Sequence, residues 1–550
     1  MPKPLRLCLL FAALAVAAAA QTKVEITYAA GLARAPLHGR VFFYVARPQP
    51  PGAPAPPRYF RFRPGQPRFE IGDQIGSQQF FGKGVRDWKP GQPVVFDASV
   101  YGYPLTSLSR LPAGDYTVQA LFNRYIAYHR ADGHTLWLPP ERGDGQNMQR
   151  KPGNLYSLPQ RVHFDPHAPG VLRLELTRKI PPIPPPPDTK WIKHLRIQSQ
   201  LLTKFWGRPM YLEATVVLPP GFNSHPAAHY PLMLEENHFT YDLARAFSRI
   251  KAEWVAGKLP KFLWVDINHA NPYYDDSYAV NSANLGPYGD AIMHELIPAV
   301  ERRFRGIGQG WARVDYGCST GGWEALADQI FYPGYFNGAW ASSPDPVDFH
   351  YFQIVDIYHD ANAYWLPGPW SKVPRPDQRN PDGSIVQTMA RANHRELVLG
   401  TKGRSADQWD IWQAVFGPVG PNGYPAQIWN PLTGVINHKV AQYWHDHYDL
   451  TAWLNSHWTT LAPKLNGKLH LYVGDMDSYY LNDAVYRLQA MVESHHNPPI
   501  TASFTFGPRQ PHCFDGTYRK ESEEQLYMPQ MLQRILATAP PGADMSWNYK

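Results

Sequence analysis

The chain has 550 residues, too many for one ordinary domain, and its 53 basic against 46 acidic residues give a formal net charge of +7. This charge is mild and includes no dense stripe of lysine and arginine, so nothing indicates nucleic-acid binding. Aromatic residues make up 14% of the chain, which is compatible with a site for flat or sugar-like ligands, although core packing accounts for most of them.

Residues 1–20 are typical of a cleaved secretory signal peptide. Lys3 and Arg6 precede an apolar run over residues 7–20 that ends in alanines. The run is too short for a convincing membrane span, and no later stretch of sequence approaches the roughly 20 apolar residues that a span needs. We therefore predict an exported protein, periplasmic or extracellular, without a stable membrane span. Such a compartment is oxidising, so disulfides persist there.

Residues 21–180 are predicted to form a β-sandwich domain. Short stretches of alternating apolar and polar residues are separated by turns rich in proline and glycine, as in 40–46, 116–122 and 171–177. A run of prolines follows and marks a semi-rigid linker, which we place at residues 181–189.

Strands and helices alternate over residues 190–550, which predicts a mostly parallel sheet covered by helices. Strands are expected at 212–218, 230–234, 261–267, 312–316, 338–342, 469–473 and 503–506, and helices at 291–303 and 323–331. An insertion at about 345–465 is rich in histidine and tryptophan, including Trp412, Trp429 and Trp444. We interpret this insertion as a lid or a pocket wall.

Ser319 is the predicted nucleophile. It lies in a G-x-S-x-G pattern, Gly317-Cys318-Ser319-Thr320-Gly321, between a predicted strand and a predicted helix. The pattern marks the nucleophile elbow of an α/β-hydrolase fold, a strained turn whose small flanking residues let the serine hydroxyl stand clear of the sheet. The pattern occurs often by chance, and the flanking strand and helix make it specific here. The backbone N–H of Thr320 is the first expected donor to an oxyanion.

The predicted acid and base come later in the chain, in the order Ser, Asp, His that this fold uses. Asp475 and Asp477 both follow the strand at 469–473, and His512 follows the last strand. We favour Asp477 as the acid, because Gly474 and two intervening residues suit the turn after the strand. Asp475 is the alternative. His512 would accept and return the proton while the aspartate fixes its tautomer.

Cys318 precedes Ser319, and Cys513 follows His512. A catalytic histidine lies within hydrogen-bond reach of its serine, so the neighbours of both residues are close as well. Because the third cysteine leaves with the signal peptide, we predict a disulfide between Cys318 and Cys513. Two unrelated buried thiols are the alternative.

The second oxyanion donor is expected after the strand at 230–234, where many hydrolases have His-Gly. Glycine is missing in this chain, so the donor is the amide of either His238 or Phe239. Glu235 and Glu236 precede them and are candidate substrate-binding residues. The alternative is that these two glutamates form salt bridges at the edge of the site.

Four segments resemble the esterase D/enterochelin-esterase superfamily, namely 215–222, 288–303, 317–323 and 474–481. The likeness covers most of residues 190–550, and an N-terminal sandwich is also similar to enterochelin esterases. The Cys-Ser and His-Cys pairs resemble the tannase/feruloyl-esterase group, in which these cysteines form a disulfide. Glucuronoyl esterases also have such cysteines, but they place a basic residue where Thr320 stands here, so that substrate class loses support. The resemblance implies hydrolysis of a carboxylic ester and does not identify the ester. We expect the substrate to be a small-molecule ester or an ester linked to a glycan.

Other functions use the same scaffold or a different one. A peptidase or an acyltransferase has the same triad, since pocket shape determines the leaving group. A non-catalytic ligand-binding module would keep the aromatic insertion without a working triad. A metal hydrolase is not indicated, because the sequence has neither H-E-x-x-H nor clustered cysteines, and we predict no metal and no cofactor.

Overall fold

The computed structural model describes residues 22–34, 36–48, 65–72, 77–140, 148–237, 243–519 and 521–549. The predicted signal peptide at 1–20 lies outside these residues, and so do His238 and Phe239. Among the described residues, no helix has the length and apolar character needed to cross a bilayer.

Two sheets share one apolar core in the N-terminal part of the chain. The strands are β1 (Lys23–Tyr28), β2 (Leu37–Ala46), β3 (Gln79–Trp88), β4 (Val94–Phe96), β5 (Gly102–Tyr103), β6 (Gly114–His129), β7 (Thr135–Leu138), β8 (Leu155–Tyr156), β9 (Gln160–Phe164), β10 (Val171–Leu176) and β11 (Arg178–Lys179). The smaller sheet has the order β10-β1-β4, and the larger has the order β11-β8-β6-β2-β3-β5, with β7 and β9 both paired to β6. Ile26 of the smaller sheet packs in one buried cluster with Phe43 and Phe122 of the larger sheet.

Strand β6 connects the two parts of the molecule. Phe122, in its middle, belongs to the N-terminal core, whereas Tyr128, near its end, belongs to the core of the C-terminal part. Leu136 and Leu138 of β7 are also buried in the C-terminal core. The proline-rich segment at 181–189 is exposed and has no regular secondary structure. The two parts therefore pack directly against each other through β6 and β7.

The C-terminal part alternates strands and helices. Its strands are β12 (Ile192–Ser199), β13 (Met210–Val217), β14 (Leu232–Glu236), β15 (Leu263–Asn268), β16 (Asn281–Ser282), β17 (Gly286–Pro287), β18 (Arg313–Cys318), β19 (Ala339–Ser342), β20 (Trp365–Leu366), β21 (Val373–Pro374), β22 (Pro376–Arg379), β23 (Ile385–Thr388), β24 (Leu469–Gly474) and β25 (Ala502–Gly507). Its helices are α1 (Gln200–Trp206), α2 (Leu243–Val255), α3 (Tyr288–Ala291), α4 (Ile297–Phe304), α5 (Thr320–Phe331), α6 (Met389–Leu399), α7 (Gln408–Phe416), α8 (His438–His447), α9 (Leu450–Ser456), α10 (Trp458–Leu465), α11 (Leu481–Ser494) and α12 (Glu523–Thr538).

The main sheet of this part has the order β12-β13-β15-β14-β18-β19-β24-β25. Strand β13 runs antiparallel to both of its neighbours, and the pairs from β15 to β25 are all parallel. A mixed, mostly parallel sheet with a strand–elbow–helix unit at β18 and α5 is the α/β-hydrolase arrangement. Each strand predicted from the sequence in this part is present, with ends displaced by a few residues.

The insertion between β19 and β24 contains β20–β23 and α6–α10. Trp412, Trp429 and Trp444 are at most 2% exposed. Phe352 lies among them, with ring centroids 4.9 Å from Trp412 and 5.2 Å from Trp444. These tryptophans therefore form the apolar core of the insertion rather than a ligand surface. On its other side the insertion contacts the N-terminal sheet, where the guanidinium of Arg40 donates to a carbonyl oxygen of α6.

Candidate active site

Ser319 lies in a tight turn between β18 and α5, with φ of 59° and ψ of −123°. A Cβ atom at Gly321 would lie 2.0 Å from the carbonyl oxygen of Glu236, and one at Gly317 would lie 2.5 Å from the carbonyl carbon of Gly321. Only glycine fits such close approaches, so the two glycines of the pattern allow the helix to start directly above the sheet. The amide of Ser319 donates to the carbonyl oxygen of Ser342 and ties the turn to β19.

Thr320 is the first residue of α5. The amide groups in the first turn of a helix have no partners within the helix, and the helix dipole makes this end positive. The amide next to Ser319 is therefore suited to receive a developing negative charge. The side chain of Thr320 has another task, since its hydroxyl donates to Asp345 over 2.9 Å.

His512 and Asp477 are hydrogen-bonded, with 2.8 Å between Nδ1 and Oδ2. Asp477 is fully buried, and its other oxygen accepts the amide of Tyr479 over 2.9 Å. Asp475 has a different partner, because its Oδ1 accepts the amide of Arg509. Of the two competing aspartates, Asp477 is thus the one that contacts the histidine.

The charges of this pair stabilise each other. Burial raises the pKa of Asp477, but His512 and the amide donors outweigh burial and hold this pKa below its ordinary value. Burial lowers the pKa of His512, but Asp477 and, more weakly, Asp345 outweigh it, so the net pKa of the histidine is raised. A carboxylate that stays ionised beside an imidazole stabilises the imidazolium form.

A disulfide joins Cys318 to Cys513, with their Cα atoms 5.7 Å apart. This bond connects the elbow to the loop that carries His512, and a ring nitrogen of His512 lies within 4.8 Å of both sulfur atoms. The amide of Cys513 also donates to the hydroxyl of Ser343, just after β19. The histidine loop is therefore fastened to the elbow by a covalent bond and to β19 by a hydrogen bond.

Asp345 is a site residue that the sequence analysis missed. It is 5% exposed, and its Oδ1 accepts the Ser319 hydroxyl over 3.4 Å. Its Oδ2 accepts the hydroxyl of Tyr278 over 2.7 Å. The available signal was its position three residues after β19, because the carboxyl ends of neighbouring parallel strands lie at one edge of the sheet.

Arg379, at the end of β22, is a second residue that the sequence analysis missed. Its guanidinium donates to the carbonyl oxygens of Asp477 and Asp475 over 2.9 and 3.2 Å, and to the side chain of Asn482 over 2.9 Å. The insertion thus supports the loop that carries Asp475 and Asp477. Nothing in the local sequence around Arg379 signals this contact, because the two segments are about a hundred residues apart.

The predicted role of Glu235 and Glu236 in substrate binding is not supported. Both residues belong to β14 and are 4% and 0% exposed. Glu235 accepts the indole N–H of Trp264 over 2.6 Å, and Glu236 faces other buried carboxyl groups. The strand continues two residues beyond its predicted end and places both side chains in the interior.

Comparison with known protein families and with curated proteins gives no match. Solved structures do match. A ferulic acid esterase is 14% identical with a TM-score of 0.38, over 62% of this chain and 99% of that one. An S-formylglutathione hydrolase from Agrobacterium tumefaciens is 12% identical with a TM-score of 0.33, and the match covers 64% of this chain and 97% of the hydrolase. A prolyl endopeptidase is 11% identical with a TM-score of 0.33, and the match covers 84% of this chain and 50% of the endopeptidase. At values this low, the fold assignment depends on the strand order and the elbow described above.

Breaking the disulfide is expected to destabilise the protein. It closes a loop with a sequence separation of 195, for which the chain-entropy model gives about 5 kcal/mol in the free energy of unfolding. We expect the double variant Cys318→Ala/Cys513→Ala to unfold at lower denaturant concentration than the wild type. Reduction should lower the wild-type midpoint and leave that of the double variant unchanged. An equal effect of reductant on both proteins would contradict this prediction.

Replacing Asp345 by Asn should lower the pKa of His512, because the charge of Asp345 favours the protonated imidazole. The NMR titration of the His512 ring, assigned with a His512→Gln variant, measures this directly. Asp382→Asn is a matched control, since Asp382 is an exposed aspartate whose carboxylate is held by Ser384. An unchanged or raised pKa in the Asp345 variant would show that its carboxylate does not act on the histidine.

Proposed function

We propose that this protein is an exported serine hydrolase that cleaves carboxylic esters through Ser319, His512 and Asp477. The main support is the placement of Ser319 at positive φ at the start of α5, on a turn tied by a disulfide to the loop of a hydrogen-bonded His–Asp pair. A serine alone is a weak nucleophile and needs a base that a third group orients. We also propose that the two N-terminal sheets form a β-sandwich domain.

In the proposed reaction, the Ser319 oxygen attacks the ester carbonyl carbon while Nε2 of His512 takes the hydroxyl proton. Asp477 holds the proton on Nδ1 and stabilises the imidazolium. The amide of Thr320 donates to the oxyanion, with a second amide from His238 or Phe239. His512 then returns the proton to the departing alcohol and leaves an acyl-enzyme. Water, deprotonated by the same histidine, releases the acid and restores Ser319.

The resting serine hydroxyl donates to Asp345. For the attack it must turn toward His512, so we infer that substrate binding displaces this contact. Such a rearrangement fits the general finding that catalytic hydrogen bonds are often long or poorly aligned before substrate binds.

A substrate panel separates ester hydrolysis from the alternatives. We propose to test aryl, feruloyl, galloyl and sugar esters beside an aminopeptidase substrate and an acyl acceptor. Turnover of an ester with water as the acceptor supports the proposal. Faster cleavage of the amide substrate, or transfer of the acyl group to the added acceptor in preference to water, would assign the site to a peptidase or an acyltransferase.

Replacing Ser319 by Ala should abolish ester hydrolysis, with a loss of about a million-fold in turnover, because the nucleophile is removed. A fluorophosphonate probe should label a peptide that contains Ser319 in the wild type and nothing in the variant. Circular dichroism serves as the control for folding. Hydrolysis retained by a folded Ser319→Ala protein would refute the proposed mechanism.

The two aspartates after β24 should differ strongly when each is replaced by Asn. We expect Asp477→Asn to reduce turnover by about ten-thousand-fold, since the histidine would lose the tautomer that accepts a proton. Asp475→Asn is the matched control and should lose far less, because its carboxylate contacts the amide of Arg509. The reverse ranking, measured with the same ester, would move the acid to Asp475.

A further inference from the structure

A group of buried carboxyl groups lies beneath the elbow, between the main sheet and α5. Glu236 ends β14, Asp315 lies in β18, and Glu324 and Asp328 are one turn apart on α5. All four side chains are fully buried. One oxygen each of Glu236, Asp315 and Asp328 lies within 4.8 Å of the others.

His269, just after β15, points into this group. Its side chain is 1% exposed, and Nε2 lies 3.9 Å from an oxygen of Glu236 and 3.9 Å from an oxygen of Glu324. These distances exceed a hydrogen bond, and Nε2 has no hydrogen-bond partner among the described residues. Nδ1 lies 2.8 Å from the hydroxyl of Ser277 and accepts the amide N–H of Ser277 over 3.2 Å. This hydrogen bond favours the tautomer with the proton on Nε2. Metal binding at Nε2 requires the other tautomer, in which Nδ1–H donates to the Ser277 hydroxyl and the lone pair of Nε2 faces the carboxyl groups, as in metal-binding histidines.

Within the described ranges, no lysine or arginine forms an ion pair with any of these four carboxyl groups. Burial raises the pKa of each of the four carboxyls well above its ordinary value, and for Glu236, Glu324 and Asp328 the neighbouring carboxyls raise it further. Glu236 and Glu324 are close enough to share one proton. Apart from that proton, the oxygens of Glu236, Glu324 and Asp328 have no hydrogen-bond partner among the described residues. Buried polar groups rarely lack a hydrogen-bond partner, and buried charges are rarely unpaired. These carboxyl groups must therefore hold either several protons or a cation.

We propose that Glu236, His269, Asp315, Glu324 and Asp328 bind a divalent transition-metal ion. Carboxylate oxygens with an imidazole nitrogen suit Mn²⁺ or Zn²⁺, whereas Ca²⁺ takes oxygen ligands alone. Ligand atoms at about 2.1 Å from one ion lie up to about 4.2 Å apart. The ligand atoms lie within 4.8 Å of one another in each of two triads, Glu236–His269–Glu324 and Glu236–Asp315–Asp328, so each triad needs only small adjustments, and Glu236 belongs to both. The sequence alone predicts no metal, because these five residues come from four separate segments and form no local ligand motif.

The ion would have a structural role. Glu324 and Asp328 lie on the helix that begins directly after Ser319, and the other three residues lie on or beside the strands below it. A bound ion would therefore fasten α5 to the sheet. The proposal does not depend on the proposed reaction, because it concerns the support of the elbow and not the ester.

The first experiment uses the untagged, full-length protein as purified. We expect about one equivalent of manganese or zinc by plasma mass spectrometry, a lower melting temperature after dialysis against a chelator, and recovery on addition of Mn²⁺ or Zn²⁺. Three results would overturn the proposal: no bound metal together with a melting temperature that neither chelator nor added ions change; recovery with Ca²⁺ only; or bound metal whose removal leaves the melting temperature unchanged.

Variants locate the ion. Glu324→Gln and Asp328→Asn keep the side-chain shape, and each should lower the metal content and the response to chelator. His269→Gln provides a further variant if either of these fails to fold, and the wild-type measurements stand without them. The matched control is His350→Gln, which alters the other described group of aspartates and histidine, Asp348, His350 and Asp449. Loss of metal in this control, with metal retained in the α5 variants, would place the ion elsewhere and refute the proposal.

Discussion

The positive φ of Ser319 is the constraint on which the site depends. A residue with a side chain costs about 1 to 3 kcal/mol in such a conformation, so the surrounding structure must hold it there. Gly317 and Gly321 do this by letting the start of α5 approach the backbone of β14 and β18 to distances that a Cβ atom would prevent. The turn then directs the hydroxyl to the edge of the sheet where Asp345 and His512 lie.

The loops at this edge are held by contacts of different kinds. The disulfide between Cys318 and Cys513 fixes the histidine loop to the elbow covalently. Arg379, from the insertion, holds the loop of Asp475 and Asp477 by donating to the carbonyl oxygens of both aspartates. The aromatic core of the insertion buries Trp412 and its neighbours. The insertion is therefore a packed unit that supports the site from one side, in addition to any role at its entrance.

Much of the fold follows from local patterns in the sequence. The strands of the main sheet are continuous apolar runs, and α5 follows a glycine-rich turn, so both could be predicted without knowledge of their partners. The packing of segments that are far apart in the chain could not be predicted in this way. Strand β6 connects two cores because Phe122 and Tyr128 pack against residues far apart in the chain. The position of the insertion against the N-terminal sheet also depends on pairs such as Arg40 and Val398, which are 358 residues apart.

The sequence by itself determined the nucleophile candidate and its elbow, because small residues around a serine between a strand and a helix are a local requirement. Tertiary structure decided the partners. Asp475 and Asp477 follow the same strand, and only the direction of the loop brings Asp477 to the histidine. The sequence pattern predicts a loop at Glu235 and Glu236, but pairing of both residues with β18, and of Glu235 also with β15, extends β14 and buries them. Asp345 meets Ser319 only because parallel strands bring their carboxyl ends to one edge of the sheet.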